Sequence, residues 1–254
     1  MRRRSPPPKL DGVLAGSEEP VFRVLPQRVL EDMRRPDSES ALLWNLIYPS
    51  AQSSISLKAL LGLKPLWGSR VELPEDRLVP YYWGYDTLGQ RLARLDEVLE
   101  LVDGAGPRTE VDLFLLGERQ LILIEAKHAG NLGRCARYLA ARCPEIHGMD
   151  GGGCRYWEIE AALFSDSLRF GARPVHESVS PPCNRHYQLA RTLMVGENLA
   201  ERLDRQLHLW LLVPADRWTA LERDWVDFSD RIEDDAMWGR MRVLAWEAIQ
   251  QLTV

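Results

Sequence analysis

Glu125 and Lys127 stand two residues apart at the end of the run LILIEAK, and Asp112 lies upstream in TEVDLFLL. Only GER separates the two apolar runs, so together they read as a β-hairpin. An even-numbered loop centred on Glu118 and Arg119 places Asp112 directly opposite Glu125. Side chains alternate along a strand, so Lys127 projects to the same face as Glu125. Directly opposed carboxylates destabilise a sheet, and a divalent cation between them would offset the repulsion. Mg²⁺ or Mn²⁺ suits such oxygen ligands, neutralises a phosphodiester and activates a water. Lys127 could orient that water or, with its pKa lowered by the metal, accept its proton. E-x-K alone is common and an exposed Glu/Lys pair needs no function. The weight comes from the opposed acid and from the LILI run, which points to a strand buried on both faces.

The elements that must position these residues follow from the pattern around them. Ser38 caps a helix that runs through ALLWNLI and stops near Pro49. Two prolines make residues 71–83 extended or irregular. Leucines three and four apart in LGQRLARLDEVLELV favour a helix. Beyond the hairpin, residues 128–182 read as loop with a short helical piece around WEIEAALFSDSL. Then come a helix in HYQLARTLMVGENLAERLDRQ, a buried strand in QLHLWLLVP, a helix in WTALERDWVDFSDRI, and a strand or helix in MRVLAWEAIQQL. The expected fold class is α/β, a mixed central sheet flanked by helices.

TEVDLFLL followed by LILIEAK resembles the PD-(D/E)XK, or restriction-endonuclease-like, nuclease superfamily. In that superfamily an acid opens the second core strand and E-x-K ends the third. The resemblance implies a restriction-endonuclease-like core and Mg²⁺- or Mn²⁺-dependent hydrolysis of phosphodiester bonds. It assigns Asp112 and Glu125 as metal ligands, the Ala126 carbonyl as a further one, and Lys127 as the catalytic lysine. It points to nucleic acid, DNA foremost, as partner, in a restriction, repair or defence role, and leaves open a homodimer or larger complex. A glutamate on the first helix often faces the metal, and here Glu39, Glu97 or Glu100 could fill that place. Tyr187 and Gln188 loosely match a helix motif of recombination-type members. No proline precedes Asp112, a common departure. The alternatives are an inert nucleic-acid-binding or assembly module on the same fold, or an RNA-directed nuclease.

With 254 residues, of which 45% are hydrophobic, the chain can bury one sizeable core. Residues 1–20 are expected to form a loose basic, proline-rich tail and 21–254 a single domain. No apolar run approaches the roughly 20 residues that span a bilayer, and the N-terminus lacks the apolar stretch of a secretory signal. The expectation is therefore a cytoplasmic protein without a membrane partner. The net charge of -5 gives no global attraction for a polyanion. Arg134, Arg137, Arg142, Arg185 and Arg191 are candidates for local phosphate contacts. Cys135, Cys143, Cys154 and Cys183 contain no C-x2-C pair, so they read as buried thiols before metal ligands, and His147 is a still weaker ligand candidate. His128 should face away from Lys127, as packing or surface.

Overall fold

A computed structural model describes residues 10–50, 54–69, 72–148, 153–160, 163–176 and 179–252. Its centre is a mixed sheet of six strands in spatial order β1 to β6: Ile55–Ser56, Arg77–Tyr82, Leu113–Leu116, Gln120–Ala126, Gln206–Val213 and Met241–Ala245. Neighbours are antiparallel from β1 to β4, while β4, β5 and β6 run parallel. The helices of nine residues or more are labelled α1 (Glu39–Ile47), α2 (Leu95–Asp103), α3 (Tyr187–Leu203) and α4 (Trp218–Ser229). Parallel neighbours need crossovers, and α3 and α4 supply them.

Strand alternation divides the core between the two faces of the sheet. Leu121 and Leu123 of β4, Leu207, Leu209 and Leu211 of β5, and Met241 and Val243 of β6 pack with α2, α3 and α4. Ile122, Ile124, Ala126, Trp210, Leu212 and Leu244 pack with α1 and the N-terminal segment on the opposite face. Every residue of β4 is buried, which explains why LILI shows no polar alternation.

The hairpin register matches the expectation. Leu113 pairs with Ile124 and Leu116 with Leu121, and Gly117 N donates to Gln120 O at 2.9 Å, so Glu118 and Arg119 form the turn. One residue before β3, Asp112 lies a single register step beyond the Leu113–Ile124 pair, at the Glu125 level.

The turn is held from outside the hairpin. Buried Asp76 accepts the backbone N–H groups of Glu118, Arg119 and Gln120 at 3.0, 2.9 and 3.3 Å. A Cβ at Gly117 would run into the Asp76 carboxylate, so the closing residue must be glycine. Removing the acceptor strands these donors, and unsatisfied buried groups cost about 1–3 kcal/mol. Asp76→Ala is therefore expected to lower unfolding stability by about 2–3 kcal/mol in urea titrations, with Asp76→Asn recovering part. An unchanged midpoint in Asp76→Ala would show that the turn holds itself.

Several elements differ from the sequence reading. Of the expected tail, residues 1–9 lie outside the described residues, but from residue 10 the chain is packed. Leu10 is buried, Gly12 N bonds Met33 O at 3.1 Å, and Ala15 O accepts the Trp44 indole N–H at 2.9 Å. Pro80 lies inside β2, past the two residues that β1 covers, where a missing N–H leaves no ladder bond broken on that side. The leucine-rich stretch before Leu95 is a turn instead of helix, because Asp86 takes the Gln90 N–H with its side chain at 2.7 Å and its own N–H bonds Gln90 O at 3.0 Å. The last segment is both strand and helix, β6 followed by one turn at Trp246–Gln250. Among the described residues no helix is long and apolar enough to cross a membrane.

Candidate active site

At the C-terminal end of β4 the backbone and four acidic or basic side chains meet. The Asp112 carboxylate accepts Ala126 N at 2.9 Å, which ties the residue before β3 to the end of β4. Lys127 N bonds Leu212 O at 2.9 Å, continuing the parallel ladder one residue beyond β4. The Lys127 ammonium donates to Glu39 Oε1 at 3.2 Å and to Ala126 O at 3.0 Å, and stands 4.0 Å from Asp112 Oδ2. Glu39 Oε2 accepts His128 N at 2.8 Å. Ser38 caps α1 through Ala41 N at 3.1 Å, and Glu39 follows it at the first helical position. The cap therefore aims Glu39 at the strand end.

Glu125 is entirely buried, and α3 orients both of its oxygens. Gln188 Nε2 donates to Oε2 at 2.5 Å, and Thr192 Oγ1 donates to Oε1 at 2.6 Å. The two donors are four residues apart on α3 and so share one helix face. Gln188 is itself fixed, because its carbonyl accepts Gly133 N at 2.7 Å.

Burial first, and the Asp112 charge second, push the Glu125 carboxyl up to about 8, against the pull of Lys127, Thr192 and Gln188. Burial of Lys127 works to lower its pKa, but Asp112, Glu125 and Glu39 outweigh that and leave it raised. Without a metal, Lys127 is thus held as a cation. With all groups ionised, three carboxylates surround one ammonium. The excess negative charge, the hard oxygen donors and a second lone pair on each carboxylate oxygen fit a divalent cation. The Ala126 carbonyl, expected as a ligand, accepts the Lys127 ammonium at 3.0 Å and keeps a second lone pair. Among the described residues, no three His, Cys, Asp or Glu side chains form a ready-made metal-holding group, so a cation here has to draw its ligands inward.

No family model, curated protein or solved structure matches the chain.

The structure separates the candidates that spacing could not. Glu39 reaches the cluster, whereas Glu97 and Glu100 are exposed on α2 and pair with Arg94 and Arg108. Gln188 is at the site. Tyr187 is not, since its ring lies under the Arg191 guanidinium at 5.0 Å. Arg191, expected among phosphate contacts, is a structural cation: it bonds Asp103 Oδ1 at 2.7 Å, and Asp103 also accepts Tyr156 OH at 2.9 Å. Arg185 pairs with Asp227 at 3.3 Å, while Arg134, Arg137 and Arg142 are exposed. His128 packs edge-on against Trp246 at 6.0 Å. Sequence reasoning missed Thr192, for which the signal was its position one turn after Gln188. It also missed Arg28, which pairs with Glu110 and feels the Asp112 charge.

Proposed function

We propose that this chain is a metal-dependent nuclease of the PD-(D/E)XK type, hydrolysing phosphodiester bonds of DNA in a restriction, repair or defence role. One observation carries the reading. Asp112, Glu125 and Glu39 converge on Lys127 at the end of a buried strand, an acidic excess that no packing requirement explains. Opposed acids cost stability, and Glu125 is further held in place by two donors from α3. The order of the long strands supports the same reading, with the acid preceding β3 and E-x-K closing β4.

A bound Mg²⁺ or Mn²⁺ would supply charge neutralisation of the phosphate and a lowered pKa for a bound water. Asp112 and Glu125 would hold it, with Glu39 on the open side. Gln188 and Thr192 fix the Glu125 rotamer, which limits reorganisation on binding. Lys127, a protonated ammonium, places positive charge where a phosphate oxygen or the attacking water sits. Glu125 and Lys127 are buried, but the Asp112 and Glu39 side chains are 20% and 30% exposed, so substrate approaches from their side.

The test is a panel of single- and double-stranded DNA and RNA incubated with Mg²⁺, Mn²⁺ or EDTA. DNA cleavage that requires metal and vanishes in Glu125→Gln is the expected result. Metal-dependent cleavage of RNA alone would redirect the assignment to an RNA-directed nuclease. Binding without cleavage of any substrate would leave an inert nucleic-acid-binding or assembly module.

A further inference from the structure

All four cysteines of the chain line one small pocket in the crossover between β4 and α3, although Cys135 and Cys183 are 48 positions apart. All are free thiols, Cys143 buried and the others half-buried. In sequence they showed no paired spacing. In space they converge on one pocket. Each belongs to a different one-turn helix: Cys135, Cys143 and Cys154 directly precede Ala136–Leu139, Pro144–His147 and Arg155–Glu158, and Cys183 lies in Pro182–Arg185. The three preceding cysteines are extended and none spends its side chain on a helix cap.

These helices need an external tie. A four-residue helix has almost no stability of its own, since nucleation is unfavourable and few bonds follow it. A connection of this length with so little regular structure is uncommon unless something else holds it. Aromatic contacts, such as Tyr156 on Phe164 at 4.6 Å, hold one side. The four cysteines line the pocket beside Phe164.

The remaining candidate ligands are already engaged. Glu145 is held by Arg173 and by Cys154 N at 2.5 Å, and His147 Nδ1 accepts Cys143 N at 3.1 Å. The buried Trp157 indole N–H has no conventional partner and faces the Cys183 sulfur, while Tyr156 N faces the Cys154 sulfur. Burial pushes the Cys154 and Cys183 thiols up, to about 11 and about 12, with these N–H groups working against it, so both are protonated thiols until a metal displaces the proton. The cavity is about 20 Å³, room for one ion- or water-sized body.

We propose that Cys135, Cys143, Cys154 and Cys183 form a structural site for a single zinc ion, four thiolates in tetrahedral geometry. Zn²⁺ takes this ligand set with closed coordination. The sulfurs do not yet stand as a formed metal group, so binding draws them inward, each thiol releasing its proton. One-turn helices on loops can make that movement. The consequence reaches the acidic cluster by position alone: Cys135 N bonds Asn184 O at 3.1 Å and Gln188 N bonds Gly133 O at 3.0 Å. The ion thus fastens the start of α3, from which Gln188 and Thr192 reach Glu125. The proposal does not depend on the nuclease reading.

The test uses the full chain purified without chelator, with metal measured by mass spectrometry and thiols titrated. About one zinc per chain is expected, with all four thiols protected until the metal is removed. Replacing zinc by Co²⁺ should give the intense visible and sulfur-to-metal bands of a tetrahedral thiolate site, a readout available in the wild type even where a variant fails to fold. Cys154→Ser and Cys183→Ser should each lose at least tenfold in zinc affinity, while Glu125→Gln retains it. No zinc or cobalt uptake, iron with acid-labile sulfide, or zinc lost in Glu125→Gln but kept in Cys154→Ser would each overturn the site.

Discussion

Lys127→Ala is expected to reduce single-turnover cleavage by about 10²–10⁴-fold, the range for a positioned proton-transfer or charge-stabilising group, while DNA affinity stays within a few-fold of wild type. The reason lies in where the ammonium sits. It is buried, donates to Glu39 at 3.2 Å and to Ala126 O at 3.0 Å, and is too enclosed to serve as a general phosphate anchor. Its charge matters once a phosphate enters the cluster, so its loss appears in the rate and spares the ground state. Binding is measured by fluorescence anisotropy with Ca²⁺ in place of the active metal, and the rate separately with Mg²⁺. The variant also leaves three carboxylates without their cation, so both assays must run well below its melting temperature. Cleavage within twofold of wild type would remove Lys127 from the mechanism. A parallel collapse of affinity would make it a binding residue.

How legible this site was in the sequence depended on the range of the interactions involved. The hairpin, its two-residue turn and the opposition of Asp112 to Glu125 follow from strand periodicity and one loop length, both local. Asp76 was invisible because it acts on a turn more than forty residues downstream, through the backbone of Glu118 to Gln120. The choice of Glu39 over Glu97 and Glu100 was equally out of reach. All three sit on helices next to apolar residues, and only the docking of α1 against the end of β4 separates them. Arg191 misled for the same reason: a basic residue on α3 looks available for phosphate until Asp103 is seen beside it. The cysteines are the extreme case, four thiols on four one-turn helices whose meeting no spacing rule announces. Local patterns therefore gave the placement of Asp112, Glu125 and Lys127, and long-range packing decided which residues surround them.

The opposed carboxylates carry a stability signature that can be read without knowing the substrate. Burial first and then the Asp112 charge push the Glu125 carboxyl up to about 8. A folded-state pKa above the unfolded value means that the native state holds the proton more tightly. The resulting stability is fully present below about pH 4.5 and is lost as pH climbs toward 8. Wild-type protein in EDTA should therefore lose on the order of 1–3 kcal/mol between pH 5 and 8.5, discounted from the full linkage because Lys127 is coupled to the same groups. Asp112→Asn changes this in two opposing ways. The asparagine carbonyl can still accept Ala126 N, but the attraction to Lys127 across 4.0 Å is gone, costing about 1 kcal/mol at every pH where the lysine is charged. Against that, Glu125 no longer ionises beside a second anion. At pH 5, where Glu125 is protonated anyway, only the loss is felt and the variant should melt below wild type. By pH 8.5 the relief compensates, and the two melts should meet or cross. Millimolar Mg²⁺ or Mn²⁺ should then raise the wild-type midpoint, most at high pH, because a ligand bound only by the native state stabilises it by mass action. Asp112→Asn should keep little of that rise. An aspartate that served only to hold Ala126 N would behave differently: the variant would be destabilised equally at both pH values, and metal would move neither protein. Four thermal melts with and without metal separate the two cases.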